Sequence, residues 1–158
     1  MRYTGRKGWH FSNKDVWSLN ETLSPVILEG LKKFREMDRD GIPSKVLMNF
    51  SDSGLINKMD ENYFISDEDL DKALSEWNII LDKMIYAFDF KNIPKLKDYN
   101  YSINLISEEK DQNGLIPAKF EIDNQKEFDR YKEDQKKNKE LSQEGYELFG
   151  IYFSSLWD

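Results

Sequence analysis

Residues 66–90 read SDEDLDKALSEWNIILDKMIYAFDF. Leu70, Leu74, Trp77, Leu81, Met84, Ile85 and Phe88 recur mostly at intervals of three and four, which lays a broad apolar stripe along one face of an α-helix. Ser66 is a good N-cap, and Asp69, three residues on, can complete a pair like a capping box. Ile65 before the cap and Leu70 after the first turn fit a hydrophobic staple. Lys91, Asn92 and Pro94 end the pattern, so the spacing predicts a helix from Ser66 to about Phe90.

The same grammar occurs at FSNKDV, where Phe11, Ser12, Asp15 and Val16 take the same four places. From Ser12 to about Asp40, Val16, Leu19, Leu23, Ile27, Leu31 and Phe34 form one apolar face. Pro25 interrupts it. Because Ser24-Pro25 also reads as an N-cap with proline at the first helical position, either one kinked helix or two short ones are expected. Gly41 and Pro43 close the region. Residues 42–65 read as a loop with at most a short helical turn.

A third helix is expected from about Asn124. Its first half is nearly all charged, which is the pattern of a solvated face, and is expected to project from the body. Its second half is apolar around most of its circumference through Tyr146, Leu148, Phe149, Tyr152, Phe153, Leu156 and Trp157, and is expected to be the central, buried helix. Gly145 and Gly150 cost about 1 kcal/mol each in helix propensity, which points to close approach by another helix. Between the helices, YNYSINLI (99–106) and AKFEI (118–122) fit a hairpin with Asn113-Gly114 at its turn, and a long flexible insertion fits as well. The expected fold is all-α, a small three- to four-helix bundle with a variable loop or hairpin insertion at about 92–123, in one helical domain spanning 1–158.

The bulk chemistry narrows function by exclusion. With 39% apolar and 34% charged residues, the chain can bury a core. A formal net charge of −7 argues against general nucleic-acid binding, which needs a basic surface. Cysteine is absent, so disulfides, thiolate zinc sites and cysteine nucleophiles are excluded. No apolar run reaches the ~20 residues of a membrane span, and no signal peptide is expected. There is one histidine, no serine elbow and no glycine-rich phosphate loop, so the common catalytic markers are missing.

The strongest binding composition is N-terminal. Arg2, Arg6 and Lys7 supply positive charge just before a helix start, and Trp9, His10 and Trp17 supply flat faces. Charge for phosphate and rings for stacking is the pairing that nucleotide recognition uses. Against this stands the alternative that both tryptophans pack in the core and the cations are solvated. The C-terminal rings of Tyr146, Tyr152 and Trp157 read as core. The acidic run Asp67, Glu68, Asp69 and Asp71 reads as first-turn acids opposing the helix dipole; a magnesium site would need facing carboxylates beyond Glu76 and Asp82.

Three blocks read together carry a resemblance: RKGWHFSNKDVWSLNETLSPVILEGLKKF, EWNIILDKMIYAF and EGYELFGIYFSSLWD, from Arg6 to Phe34, Glu76 to Phe88 and Glu144 to Asp158. They resemble a family of small tailed-bacteriophage proteins, whose pattern is matched by Asp15 with Trp17, Trp77 with Leu81 to Ile85, and Leu156 to Asp158. The resemblance implies a phage origin, and hence the cytoplasm of an infected bacterium, but no reaction. The expected function is a non-enzymatic binder that sequesters a small anionic ligand, a cyclic nucleotide or nucleotide immune signal, in counter-defence. Arg2, Arg6 and Lys7 would hold phosphate, Trp9, His10 or Trp17 would stack, and two copies would share the pocket, with no cofactor, catalytic residue or metal. The alternatives are a helical module that binds a host protein and, third, a metal-dependent nucleotide hydrolase.

Overall fold

The computed structural model describes residues 2–3, 8–37, 41–50, 67–107 and 118–156. For Arg2, Tyr3, Ser107, Ala118 and Lys119 the description is of backbone alone. The chain is predominantly helical. In order, the elements are β1 (Arg2–Tyr3), β2 (Trp9–His10), α1 (Asn13–Trp17), α2 (Leu19–Glu36), α3 (Ser44–Leu47), α4 (Asp67–Phe88), β3 (Ile103–Ser107), β4 (Ala118–Ile122) and α5 (Gln125–Tyr152). Two antiparallel pairs, β1 with β2 and β3 with β4, qualify the all-α expectation. The chain divides into two compact units, residues 1–90 with 141–158 and residues 91–140, and the boundary falls inside α5.

In the first unit, α4 is the buried helix. Ala73, Trp77, Ile80, Leu81, Met84, Ala87 and Phe88 are all buried, and their spacing is that of one helical stripe. Leu31 of α2, Val46 of α3 and Tyr152 of α5 complete the cluster around them. Trp77 is fully buried, in ring contact with Phe34 (6.5 Å between centroids) and Tyr152 (5.3 Å). Its indole N–H has no hydrogen-bond partner among the described residues. That orphan donor opposes folding by about 1–3 kcal/mol, so the ring packing around it must more than offset the loss.

The C-terminal stretch differs from expectation. It is not the all-round buried helix: Tyr146, Ile151 and Phe153 are 40%, 49% and 64% exposed. Its aromatic rings nest on one another instead, with Phe88 between Tyr146 (5.1 Å) and Phe149 (4.9 Å). The close-approach reading holds at one glycine of two. A Cβ at Gly145 would collide with the Lys83 carbonyl oxygen and lie 2.5 Å from the Ala87 methyl. At Gly150 a Cβ would meet nothing within 4 Å. Lys83 and Glu144 pair beside this contact at 2.7 Å.

The break in the first helical region also moves. A complete capping box at Ser12 and Asp15 starts α1 as expected, but the helix interrupts at Ser18, whose φ of −117° and ψ of 57° are not helical. The second helix then runs through Pro25. Thr22 bridges the break, its hydroxyl donating to the Asp15 carbonyl at 3.0 Å and its N–H to Ser18 O at 3.0 Å. Proline at 25 removes a bond only to the carbonyl of exposed Glu21, which water can satisfy. The second cap, Ile65 and Ser66, lies outside the described residues.

The second unit carries its own aromatic nest. The hairpin alternative for the insertion is the one realised, with Ile103 opposite Ile122 and Leu105 opposite Phe120; Asn113-Gly114 lies outside the described residues. Asp123 clasps the base of the hairpin, accepting from Ser102 N–H at 2.6 Å and Ser102 Oγ at 2.7 Å. Those bonds hold its carboxyl below the usual range. Tyr101 stacks between Phe128 and Tyr131 of α5, and Tyr99 against Tyr131. The Tyr99 hydroxyl donates to Asp134 at 2.7 Å, and that bond, followed by desolvation, pushes it up to about 12.

Two predictions follow from these contacts. Gly145→Ala gains helix propensity but forces α4 and α5 apart, so chemical denaturation should show a loss of about 1–2 kcal/mol, whereas Gly150→Ala should gain up to about 1 kcal/mol. Equal effects at the two positions would contradict the close approach. For Tyr99, a pKa raised from 10.0 to about 12 means the folded state favours the neutral phenol. Its contribution is complete below pH 10.0 and is lost as pH rises through about 12. Alkaline absorbance titration of the folded chain should show late phenols, because burial also raises Tyr101 and Tyr152, and one of them should disappear in Tyr99→Phe and titrate earlier in Asp134→Asn.

Candidate functional site

The N-terminal cluster is partly in view. The β1–β2 register sets Arg2 opposite His10 and Tyr3 opposite Trp9, so the backbone brings residues 2, 9 and 10 of the expected site together. Gly8, immediately before β2, has a φ of +74°, a left-handed conformation that a side chain would strain. Directly after β2, the Ser12 cap fixes the start of α1: Asp15 accepts from Ser12 N–H and Ser12 Oγ at 2.8 Å each, and its own N–H donates to Ser12 Oγ at 3.3 Å. Trp17 closes that single-turn helix. Arg6 and Lys7 lie outside the described residues, so their part in the cluster is carried by sequence alone.

Neither tryptophan packs in the core. Trp17 is 91% exposed and Trp9 54% exposed, and His10 is exposed. Val16, expected as a staple partner of Phe11, is 57% exposed. Leu19 and Val26, on the helix that follows, are also more exposed than buried apolar residues should be. A tryptophan almost wholly in water forgoes most of the 2–3 kcal/mol or so that burying so large a ring provides. This stretch is therefore an apolar, aromatic surface held on β2, the capped helix α1 and the first half of α2.

The remaining candidates resolve as structural. The first-turn acids of α4 are partnered by Lys72, at 2.8 Å from Glu68 and 3.3 Å from Asp69. Those two bonds raise the Lys72 ammonium above its ordinary value. Asp82, further along the same helix, accepts from Arg35 at 3.1 Å. Among the described residues, no group of three or more His, Asp or Glu side chains could hold a metal ion. Tyr152 is core, Tyr146 covers Phe88, and Trp157 lies outside the described residues. Among the described residues, no helix is long and apolar enough to cross a membrane.

Two surface hollows were not anticipated. In the first unit, Ile79, Asp82, Lys83, Tyr86 and Leu141 line an apolar groove of about 280 Å³. In the second, Ile93 and Pro94 face Lys132, Gln135, Lys136, Asn138 and Lys139 across a cleft of about 550 Å³. The signal for the second was present in the sequence: lysines at 132, 136 and 139 fall at the i, i+4, i+7 spacing of one helix face. It was masked by the equal number of interleaved acids.

No family model, no curated protein and no solved structure matches this chain.

Proposed function

We propose that this is a phage-encoded, non-enzymatic recognition protein, a small helical bundle that binds and redirects a host protein in the bacterial cytoplasm through its N-terminal aromatic face. The observation that carries the reading is Trp17, 91% exposed at the end of a capped helix with Val16 and Trp9 also largely exposed. Tryptophan dominates the energetic centres of protein interfaces because it offers a large rigid area at little entropic cost. An apolar surface of this kind without a partner is a liability, so it is expected to be covered in use.

Sequestration of a small anionic ligand, such as a cyclic nucleotide signal, is the second reading. What favours it is the strand register, which sets the backbone of Arg2 opposite His10 and that of Tyr3 opposite Trp9, so that a basic residue and ring-bearing residues share one short ladder. Two copies sharing the site would supply the convergent contacts that tight binding needs. A metal-dependent hydrolase draws no support from the partnered acids of α4.

One pair of variants separates these readings. Capture of a specific host protein by the intact chain should weaken by a factor of about 30 or more in Trp17→Ala, at an unchanged melting temperature, because Trp17 buries nothing in the free protein. Under the ligand reading, a cyclic di- or trinucleotide should raise the melting temperature by mass action, be recovered intact, and lose its effect in Arg6→Ala. A captured protein held equally by Trp17→Ala would refute the docking face.

A further inference from the structure

We infer that the cleft between the Ile93–Pro94 segment and the lysine face of α5 is a second binding site, for a small phosphorylated molecule with a flat or aliphatic portion. Three features converge there. Lys132, Lys136 and Lys139 fall on one stripe of the helix and all three line the cleft. Lys132 shares Asp129 at 3.3 Å, while Lys136 lies 4.0 Å from Glu140 with its side chain 79% exposed. Lys139 makes no ion pair among the described residues. The compensation of these charges is thus loose or absent, and exposed pairs of this kind are worth little and exchange readily for a better anion.

The opposite wall is apolar and fixed. Ile93 is 47% exposed and Pro94 has its φ locked by its ring. Asn138 donates to the Asn92 carbonyl at 2.9 Å, tying this segment to α5 within the same compact unit. Gln135 and Asn138 add amide groups to the lining. A cleft of about 550 Å³ lies within the range of small-molecule sites, and its composition fits that division: ammonium groups for phosphate oxygens, amides for polar edges, Ile93 and Pro94 for a ring or alkyl surface. Residues 91–140 carry as many basic as acidic side chains, so the net charge of −7 resides in the rest of the chain and does not repel an anion from this unit as strongly as the total implies.

The inference does not rest on the N-terminal face, and the experiment keeps the two apart. The probes are ATP, inorganic tripolyphosphate and adenosine, titrated calorimetrically into the full-length chain at low ionic strength. ATP and tripolyphosphate should both bind, ATP more tightly through its ring, and adenosine should bind at least about tenfold more weakly than ATP. Lys136→Ala with Lys139→Ala should weaken ATP by about tenfold or more. Lys137→Ala, which removes a lysine that does not line the cleft, should leave binding unchanged. Circular dichroism should report the same helicity for every variant. ATP binding that falls equally in Lys137→Ala, that survives the double variant, that is matched by adenosine, or that is absent at millimolar ATP would overturn the site.

Discussion

The first compact unit depends on how closely α5 can approach α4. Gly145 lies against the Lys83 carbonyl and the Ala87 methyl, closer than any side chain would permit. That contact brings Tyr152 over Trp77 and lets Phe88 nest between Tyr146 and Phe149. Trp77 then loses all contact with water, and its N–H finds no acceptor among the described residues. A core that tolerates an orphaned indole donor is one in which shape was settled by ring packing, since one hydrogen bond is worth less than the dispersion and apolar burial of so large a side chain.

The sequence made α4 legible because its apolar residues repeat along one stripe and its polar residues avoid it. The Ser12–Asp15 cap was equally legible, since capping chemistry is local and needs no knowledge of the rest of the fold. The errors arise where tertiary context decides. Seven apolar or aromatic residues wrapped round the C-terminus suggested burial on all sides, yet Tyr146 and Phe149 use their rings against Phe88 while Ile151 and Phe153 remain largely exposed. Circumference alone does not say how many neighbours a helix has. Pro25 was expected to kink the first helix or divide it in two, but a proline costs little where the carbonyl it orphans faces water, and Ser18, one residue past α1, became the break instead.

The candidate site shows the same division. Its composition was visible, but the exposure of Trp17 was not, because a tryptophan beside a staple position usually packs. The short α1 explains the outcome. A helix of five residues, capped at Ser12 and interrupted at Ser18, does not carry Val16 and Trp17 round onto the stripe that Leu31 occupies on α2. Leu19, the first residue beyond the break, is itself 42% exposed, so the apolar surface continues across the break onto α2, and the two hydrogen bonds from Thr22 tie α2 to the break.

Charge is distributed by a comparable logic. In the unit spanning 91–140 acids and bases balance, but they are not mixed at random around α5: Lys132, Lys136 and Lys139 share one face, and Tyr99 draws Asp134 into a hydrogen bond of 2.7 Å on another. Asp134 is thereby engaged, while Lys132 pairs with Asp129 at 3.3 Å, Lys136 lies 4.0 Å from Glu140 and Lys139 makes no ion pair among the described residues. A net charge summed over the chain hides such a face, because repulsion over distances beyond the Debye length of ~8 Å is screened, whereas cations within a few ångströms of a common point act together on an anion. An acidic protein can for that reason hold a site for an anion, provided its fold collects the bases on one side of a helix and occupies the neighbouring acids elsewhere.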